Sequence, residues 1–207
     1  MIKRIASQCW PLNRHIVYRL SRPCGSAVAL TFDDGPDPAY TPRILAILAA
    51  HRAVATFFLL GNACRKYPEL VEQIHKAGHA IGSHGMDHSS HELPRQARDF
   101  GMLLRAMQIE TQLFRPPRGM LPIRAVPGLL AGGWKICIWS HDRQDSLRHE
   151  GKVARATPDI KTITARDIVL MHDDNPVCLE ELPHILAALQ RRGLHTTRLD
   201  ANGEAST

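Results

Sequence analysis

Residues 28–48, VALTFDDGPDPAYTPRILAIL, contain a strand, a turn and a helix in succession, and their reading sets the fold. Val28–Phe32 is a short apolar run closed by Asp33, Asp34, Gly35 and Pro36, the pattern of a strand running into a turn. Thr41 is placed to cap the following helix and Pro42 suits its first turn. Ile44, Leu45, Ile47 and Leu48 then supply the buried face. The same alternation continues along the chain. Further strands are expected at Ala55–Leu60, Ala80–Ser83, Gln112–Arg115, Lys135–Ser140, Ile168–His172 and His195–Arg198. Pro68 opens a helix whose Leu70, Val71 and Ile74 face inward and which Gly78 closes, while Leu93, Ala97, Phe100, Leu104 and Met107 recur at helical spacing. A last helix carries Leu179, Leu182, Ile185, Leu186 and Leu189 and ends at Gly193. Its Pro183 belongs in a first turn, so a start near Glu180 is expected. Strands alternating with helices pair in parallel through helical crossovers. The expected fold is therefore α/β, a distorted (β/α)7-type barrel with parallel strands, whose reactive groups gather where strands end.

With 207 residues, 44% of them hydrophobic, the chain can fill one core. The expected division is a basic amphipathic segment at 1–26, packed on the domain or on a surface, a domain at 27–200, and a frayed tail at 201–207. The net charge of +6 is spread through the chain, with no Lys/Arg block and no aromatic-interleaved basic stripe. Nucleic acid is thus not an expected partner. The five cysteines form no CxxC pair and are odd in number, which favours free thiols in a reducing compartment. No apolar run reaches a membrane span, and the N-terminus is too interrupted for a secretory signal, so a cytoplasmic location is expected. Ile2, Ile5, Trp10, Ile16, Val17 and Leu20 leave peripheral membrane contact open.

Chemistry-bearing residues cluster at the predicted strand ends. Asp33 and Asp34 are adjacent carboxylates, each disfavouring the other's ionisation, and a bound cation compensates well. In extended backbone adjacent side chains point apart, so one can hold a metal while its neighbour stays free as a base. His84 and His88 are four apart and can converge on one ion if they share a helical turn or a tight loop. Together with one carboxylate they form a two-His-one-carboxylate set with open positions. His75 reads as helix surface, His79 as a loop residue, and His91 as a competing ligand. Arg115 precedes Pro116-Pro117, which fix the backbone, so its planar fork can hold a carboxylate in orientation. Trp139-Ser140-His141-Asp142 closes one strand. His172, beside Asp173 and Asp174, closes another, where a carboxylate from a second loop can raise its pKa for general-acid work.

Taken in chain order, these groups resemble the polysaccharide deacetylase family, carbohydrate esterases of family 4 with a NodB homology domain. The resemblance spans about Ala27 to Arg198. TFDDGP at 31–36 matches the first motif without change, and IVLMHD at 168–173 is close to the fifth. His84 and His88 meet the His-x-x-x-His motif, with Gly85 in place of the usual Ser or Thr. RPPRG at 115–119 resembles the third motif, with Arg118 where an aromatic is commoner. WSHDRQDS at 139–146 resembles the fourth, with Ser146 where Trp is usual.

The resemblance implies a metal-dependent hydrolase that removes N-acetyl groups from an amino-sugar glycan, oligosaccharide or glycolipid and releases acetate. Asp34, His84 and His88 would bind a divalent metal, zinc most often, or cobalt or another first-row metal. Asp33 would be the general base, oriented by Arg115, and His172 the general acid, tuned by Asp142. Leu170 would bound the acetyl pocket, a backbone N–H near Gly119 would stabilise the oxyanion, and Trp139 would line the site. Arg118 and His141 are expected to adapt the groove to an anionic substrate. The rivals are an amidase acting on a non-sugar acyl amide and a catalytically silent glycan-binding relative.

Overall fold

All seven residues of strand β2 (Ala27–Asp33) are buried, since the strand has parallel neighbours on both sides. On one side runs β3 (Thr56–Leu59). On the other run β8 (Ile168–His172) and, against its first residues, β9 (His195–Leu199). The computed structural model describes residues 15–21, 24–153, 158–200 and 203–206. The remaining strands are β1 (Ile16–Val17), β4 (Ala80–Ser83), β5 (Leu113–Phe114), β6 (Lys135–Cys137), β7 (His141–Asp142) and β10 (Ala205–Ser206). They are ordered β1-β6-β5-β4-β3-β2-β8-β7, with β9 beside β2 and β10 antiparallel to β9.

The run Lys135–Asp142, expected as one strand to Ser140, is split, and the split closes the barrel. β6 lies beside β1 and β5, and the Ile138 N–H still donates to the Val17 carbonyl at 2.7 Å. By Ser140 the partner has changed to the Ile168 carbonyl at 3.0 Å, and β7 then pairs with β8. One short stretch of backbone therefore serves both edges of the sheet.

Alternation along β2 sorts its side chains between two compartments. Val28, Leu30 and Phe32 join the helices in the main apolar cluster. Ala27 and Ala29 join Phe58, Leu113 and Cys137 in the barrel interior, and by the same period Thr31 and Asp33 point there too. The helices are α1 (Thr41–Ala50), α2 (Gly61–Lys66), α3 (Pro68–Lys76), α4 (Leu93–Ala106), α5 (Val126–Ala131), α6 (Asp145–His149) and α7 (Pro176–Arg191).

Four further expectations change. Thr41 is the first residue of α1 rather than its cap: its hydroxyl accepts the Asp37 N–H and donates to Asp173 Oδ2 at 2.6 Å. α7 starts four residues earlier than expected, capped by the Asn175 side chain on the Cys178 N–H, so Pro183 lies inside it. Burial of Leu179, Leu182, Ile185, Leu186 and Leu189, at about 1.5–3 kcal/mol for each full burial, outweighs the bond Pro183 cannot make. Finally, Ile16 and Leu20 are buried in the domain and Ile16–Val17 is a strand, so these residues of the amphipathic segment do not face a membrane. Residues 1–14 of that segment lie outside the described residues. In the tail, which was expected to fray, Ala205–Ser206 pairs with β9. Among the described residues no helix is long and apolar enough to cross a membrane, and the described cysteines are free thiols.

Candidate active site

Asp33 ends β2 with its side chain in the barrel interior, almost fully buried. Its Oδ1 accepts from Arg115 Nη1 at 2.7 Å. Arg115, wholly buried, also donates to Thr31 Oγ1 at 2.8 Å and to the Cys137 carbonyl at 3.2 Å, and stacks 4.0 Å above the Phe58 ring. The expected orienting role of Arg115 toward Asp33 thus has its geometry. Burial pushes the Asp33 carboxyl above the ordinary carboxylate range, and the Arg115 charge and hydrogen bond pull it back.

The next residue turns away. Asp34 has φ 78, left-handed backbone that separates the two carboxylates. Gly35 keeps the turn tight: a methyl there would lie 2.2 Å from Asp173 Oδ2. Asp34 Oδ1 is buried with no hydrogen-bond partner and lies 3.5 Å from His84 Nε2 and 3.4 Å from His88 Nε2. These distances are long for hydrogen bonds. They suit atoms around one ion, because ligands at about 2.0–2.1 Å in a tetrahedral array sit about 3.4 Å apart.

The protonation states agree. His84 Nδ1 faces the Arg115 carbonyl at 2.9 Å, so Nδ1 carries the hydrogen and Nε2 keeps its lone pair. Burial lowers the His84 pKa to about 3, so the ring is neutral at ordinary pH. Asp34, His84 and His88 form a cluster able to hold a metal among the described residues, and their nitrogen–nitrogen–oxygen donor set fits zinc or cobalt. His84 and His88 belong to an irregular loop rather than a helical turn, with left-handed backbone at Gly85 (φ 85) and His88 (φ 61). His91 is exposed and outside the cluster. His79 is buried, its Nδ1 accepting the Ala55 N–H.

His172 ends β8 in register with Asp33 on β2. Its partner is not Asp142, as the sequence suggested. Asp145 Oδ1 lies 3.1 Å from His172 Nδ1, and Asp145 Oδ2 accepts the His172 N–H at 2.9 Å. Asn175 donates to the same carboxylate at 3.0 Å. Burial alone would lower the His172 pKa, but the Asp145 bond and charge, with the charges of Asp33 and Asp34, raise it to about 10. Asp142 instead accepts the Gln144 N–H at 2.8 Å and helps turn the chain into α6, which Asp145 begins. That turn is pinned by Glu181, which accepts from both Arg143 and Arg148.

These groups face one cleft of about 620 Å³, lined also by Leu170, Trp139, Arg118, Ser146, Asp142 and Lys152. Two expected substrate contacts fall away from it. His141 pairs in register with Val169, which belongs to the helix-side cluster, and the cleft-lining residues of this pair of strands are Asp142 and Leu170. The Gly119 N–H is committed to the Pro116 carbonyl at 2.9 Å, and Gly119 instead makes room for the Trp139 ring, 2.8 Å from where a methyl would stand. Arg118, one residue earlier, does line the cleft.

The model of the family described as polysaccharide deacetylase matches residues 21–127, and a peptidoglycan-N-acetylglucosamine deacetylase from Bacillus cereus is 34% identical over 176 residues. The chain belongs to the polysaccharide deacetylase family. That Bacillus relative is covered over 83% of its length, and 80% of this chain is covered in return. A chitooligosaccharide deacetylase from Sinorhizobium fredii is 30% identical over 158 residues, covering 72% of this chain and 73% of the relative. Among solved deacetylases, the Bc1960 peptidoglycan N-acetylglucosamine deacetylase superposes with a TM-score of 0.82 at 26% identity, over 95% of this chain and 96% of the other. A family 4 carbohydrate esterase from Streptomyces lividans in complex with acetate gives 0.78 at 25% identity, over 89% and 98%. The expected distorted parallel barrel is the fold of these structures.

Proposed function

We propose that this deacetylase hydrolyses the N-acetyl group of an amino-sugar glycan, releasing acetate and a free amine. The reading rests on one juxtaposition: the Asp34, His84 and His88 donors share one cleft with a carboxylate held by Arg115 and an imidazole held by Asp145. The names of the relatives, peptidoglycan and chitooligosaccharide deacetylases, and the acetate bound to the Streptomyces lividans carbohydrate esterase support the substrate class.

When bound, a divalent cation supplies Lewis-acid charge and acidifies water toward neutrality, zinc and cobalt being the first choices for this donor set. The rest is the work of side chains. Asp33, fixed by Arg115 with its other oxygen 3.8 Å from His84 Nε2, takes a proton from the attacking water. The water oxygen bonds to the acetyl carbon and the C–N bond breaks. His172, kept protonated by Asp145, delivers its proton to the departing nitrogen, which would otherwise leave poorly as an amide anion. Leu170 bounds the pocket for the methyl group and Trp139 the sugar side. The oxyanion donor we assign to the Arg118 N–H, for which no backbone acceptor exists among the described residues, in place of the committed Gly119 amide.

Acetate release from an acetylated amino-sugar panel, with added zinc or cobalt, tests the proposal. Release that disappears on chelation and in Asp33→Asn supports it. Tight metal binding with no release from any glycan would overturn it in favour of the non-sugar amidase.

The anionic character of the substrate is a further part of this proposal. Arg118 is exposed on the cleft with no partner for its guanidinium among the described residues. Arg118→Ala is expected to weaken phosphate- or uronate-bearing glycans selectively, and equal loss on neutral chitooligosaccharides would sink the idea.

A further inference from the structure

The two histidines of the metal cluster are held differently. The His84 ring is fixed directly by its hydrogen bond to the Arg115 carbonyl. The His88 ring has no comparable anchor among the described residues. Its polar neighbours are Asp34 and the His84 ring, 5.2 Å away between centroids, both themselves in the cluster, and its backbone is left-handed. Something must hold the loop that carries it.

That loop is filled by Gln96, a residue of α4 that none of the motifs includes. An amide is a rare choice for the inward stripe of a helix, yet Gln96 is 9% exposed, beside Ala97 and Phe100. Its Oε1 accepts the Met86 N–H at 2.6 Å. Its Nε2 donates to Ser89 Oγ at 2.9 Å and to the His91 carbonyl at 2.7 Å, with the Ser89 carbonyl farther off at 3.4 Å. These partners bracket His88 on both sides, and they fix which end of the amide is oxygen. Gly85 is the complement. A methyl there would lie 2.7 Å from Gln96 Oε1, an atom that cannot swing aside while its amide is bonded at both ends.

We propose that Gln96 is a positioning residue for the metal centre: its amide replaces, from the neighbouring helix, the local side chain that Gly85 lacks, and sets the loop so that His88 meets Asp34 and His84. The inference rests on the reading of Asp34, His84 and His88 as the metal ligands. Outer partners that orient ligands typically change metal affinity by about 10–100-fold when removed, and Gln96 is expected to behave as one.

The test is cobalt titration of the metal-free protein, following the visible absorption of the bound ion and its dissociation constant by chelator competition. Gln96→Met keeps the volume and removes the hydrogen bonds. It is expected to weaken cobalt about tenfold or more and to shift the absorption bands, because the ligand set is re-aimed. Gln96→Glu keeps the acceptor for Met86 but sets a carboxylate oxygen against the Ser89 and His91 carbonyls, and is expected to weaken cobalt at least as much. Wild-type affinity and bands in either folded variant overturn the proposal, even if its thermal stability falls. Should wild type and His84→Ala bind cobalt alike, the ligand assignment fails instead, which separates the two outcomes.

Discussion

At the scale of single residues, Asp33 and His172 depend on their holders. Arg115 and Asp145 each meet their partner with defined geometry, so conservative changes at the holders isolate the effect. Asp145→Asn is expected to lower kcat by about 10²–10⁴-fold, the usual worth of a general acid. Asp142→Asn should change it by less than about tenfold, since an amide oxygen still accepts the Gln144 N–H. Acetate-release kinetics on the two variants check both. The same pair predicts a pH signature of stability. A histidine raised from about 6.5 when unfolded to about 10 when folded adds stability that is complete below about pH 6.5 and is lost as pH rises through 10. Chemical denaturation of the chelated protein should therefore show stability declining from about pH 7 to 10, and Asp145→Asn should flatten that decline. A slope unchanged in the variant would assign the decline to other groups.

At the scale of elements, α7 is the clearest case for a designed change. Pro183 lies well inside the helix, where proline is about 3 kcal/mol worse than alanine, offset in part by the freedom it removes from the unfolded chain. Pro183→Ala is expected to raise unfolding free energy by about 1–2 kcal/mol with kcat unchanged, which denaturant midpoints will register. The local preference of proline for a first turn points to a start of α7 near Glu180, four residues late. Six buried apolar side chains overruled that local rule. Strand positions were legible to within a residue or two wherever an apolar run met a charged end, as at Ala80–Ser83 and Ile168–His172. The split of Lys135–Asp142 was not, because closure of a barrel is a property of partners far along the chain. Within the site, Asp33, Asp34, His84, His88, Arg115 and His172 were legible because their spacing repeats a family pattern. Asp142 and Asp145 both stand in WSHDRQDS, and only the left-handed turn at Gln144 decides that the later one reaches His172. Gln96 left no signal, since a lone glutamine on an amphipathic helix reads as surface until the loop packed over it is known.

At the scale of the whole molecule, metal and fold should be linked. The proposed ligands come from the end of β2 and from the loop after β4, and a cation that binds only the folded arrangement stabilises it by mass action, by about 2.7 kcal/mol at one hundred times its dissociation constant. Thermal unfolding should shift upward with added zinc, return on chelation, and show no zinc dependence in His84→Ala. A zinc shift that survives that substitution would place the ion elsewhere.

The register of β2 with β8 has a consequence in time as well as in space. During synthesis Asp33 emerges early and finds β3 soon afterward, but its other flank waits for His172 and then for β9, near the far end of the chain. Closing so long a span is entropically slow compared with forming the helices between. The strand order therefore predicts that the proposed base, Asp33, is in place well before the proposed acid on β8 can face it. On that order, competence for the proposed hydrolysis is expected late, when β8 and β9 dock and bring His172 beside Asp33.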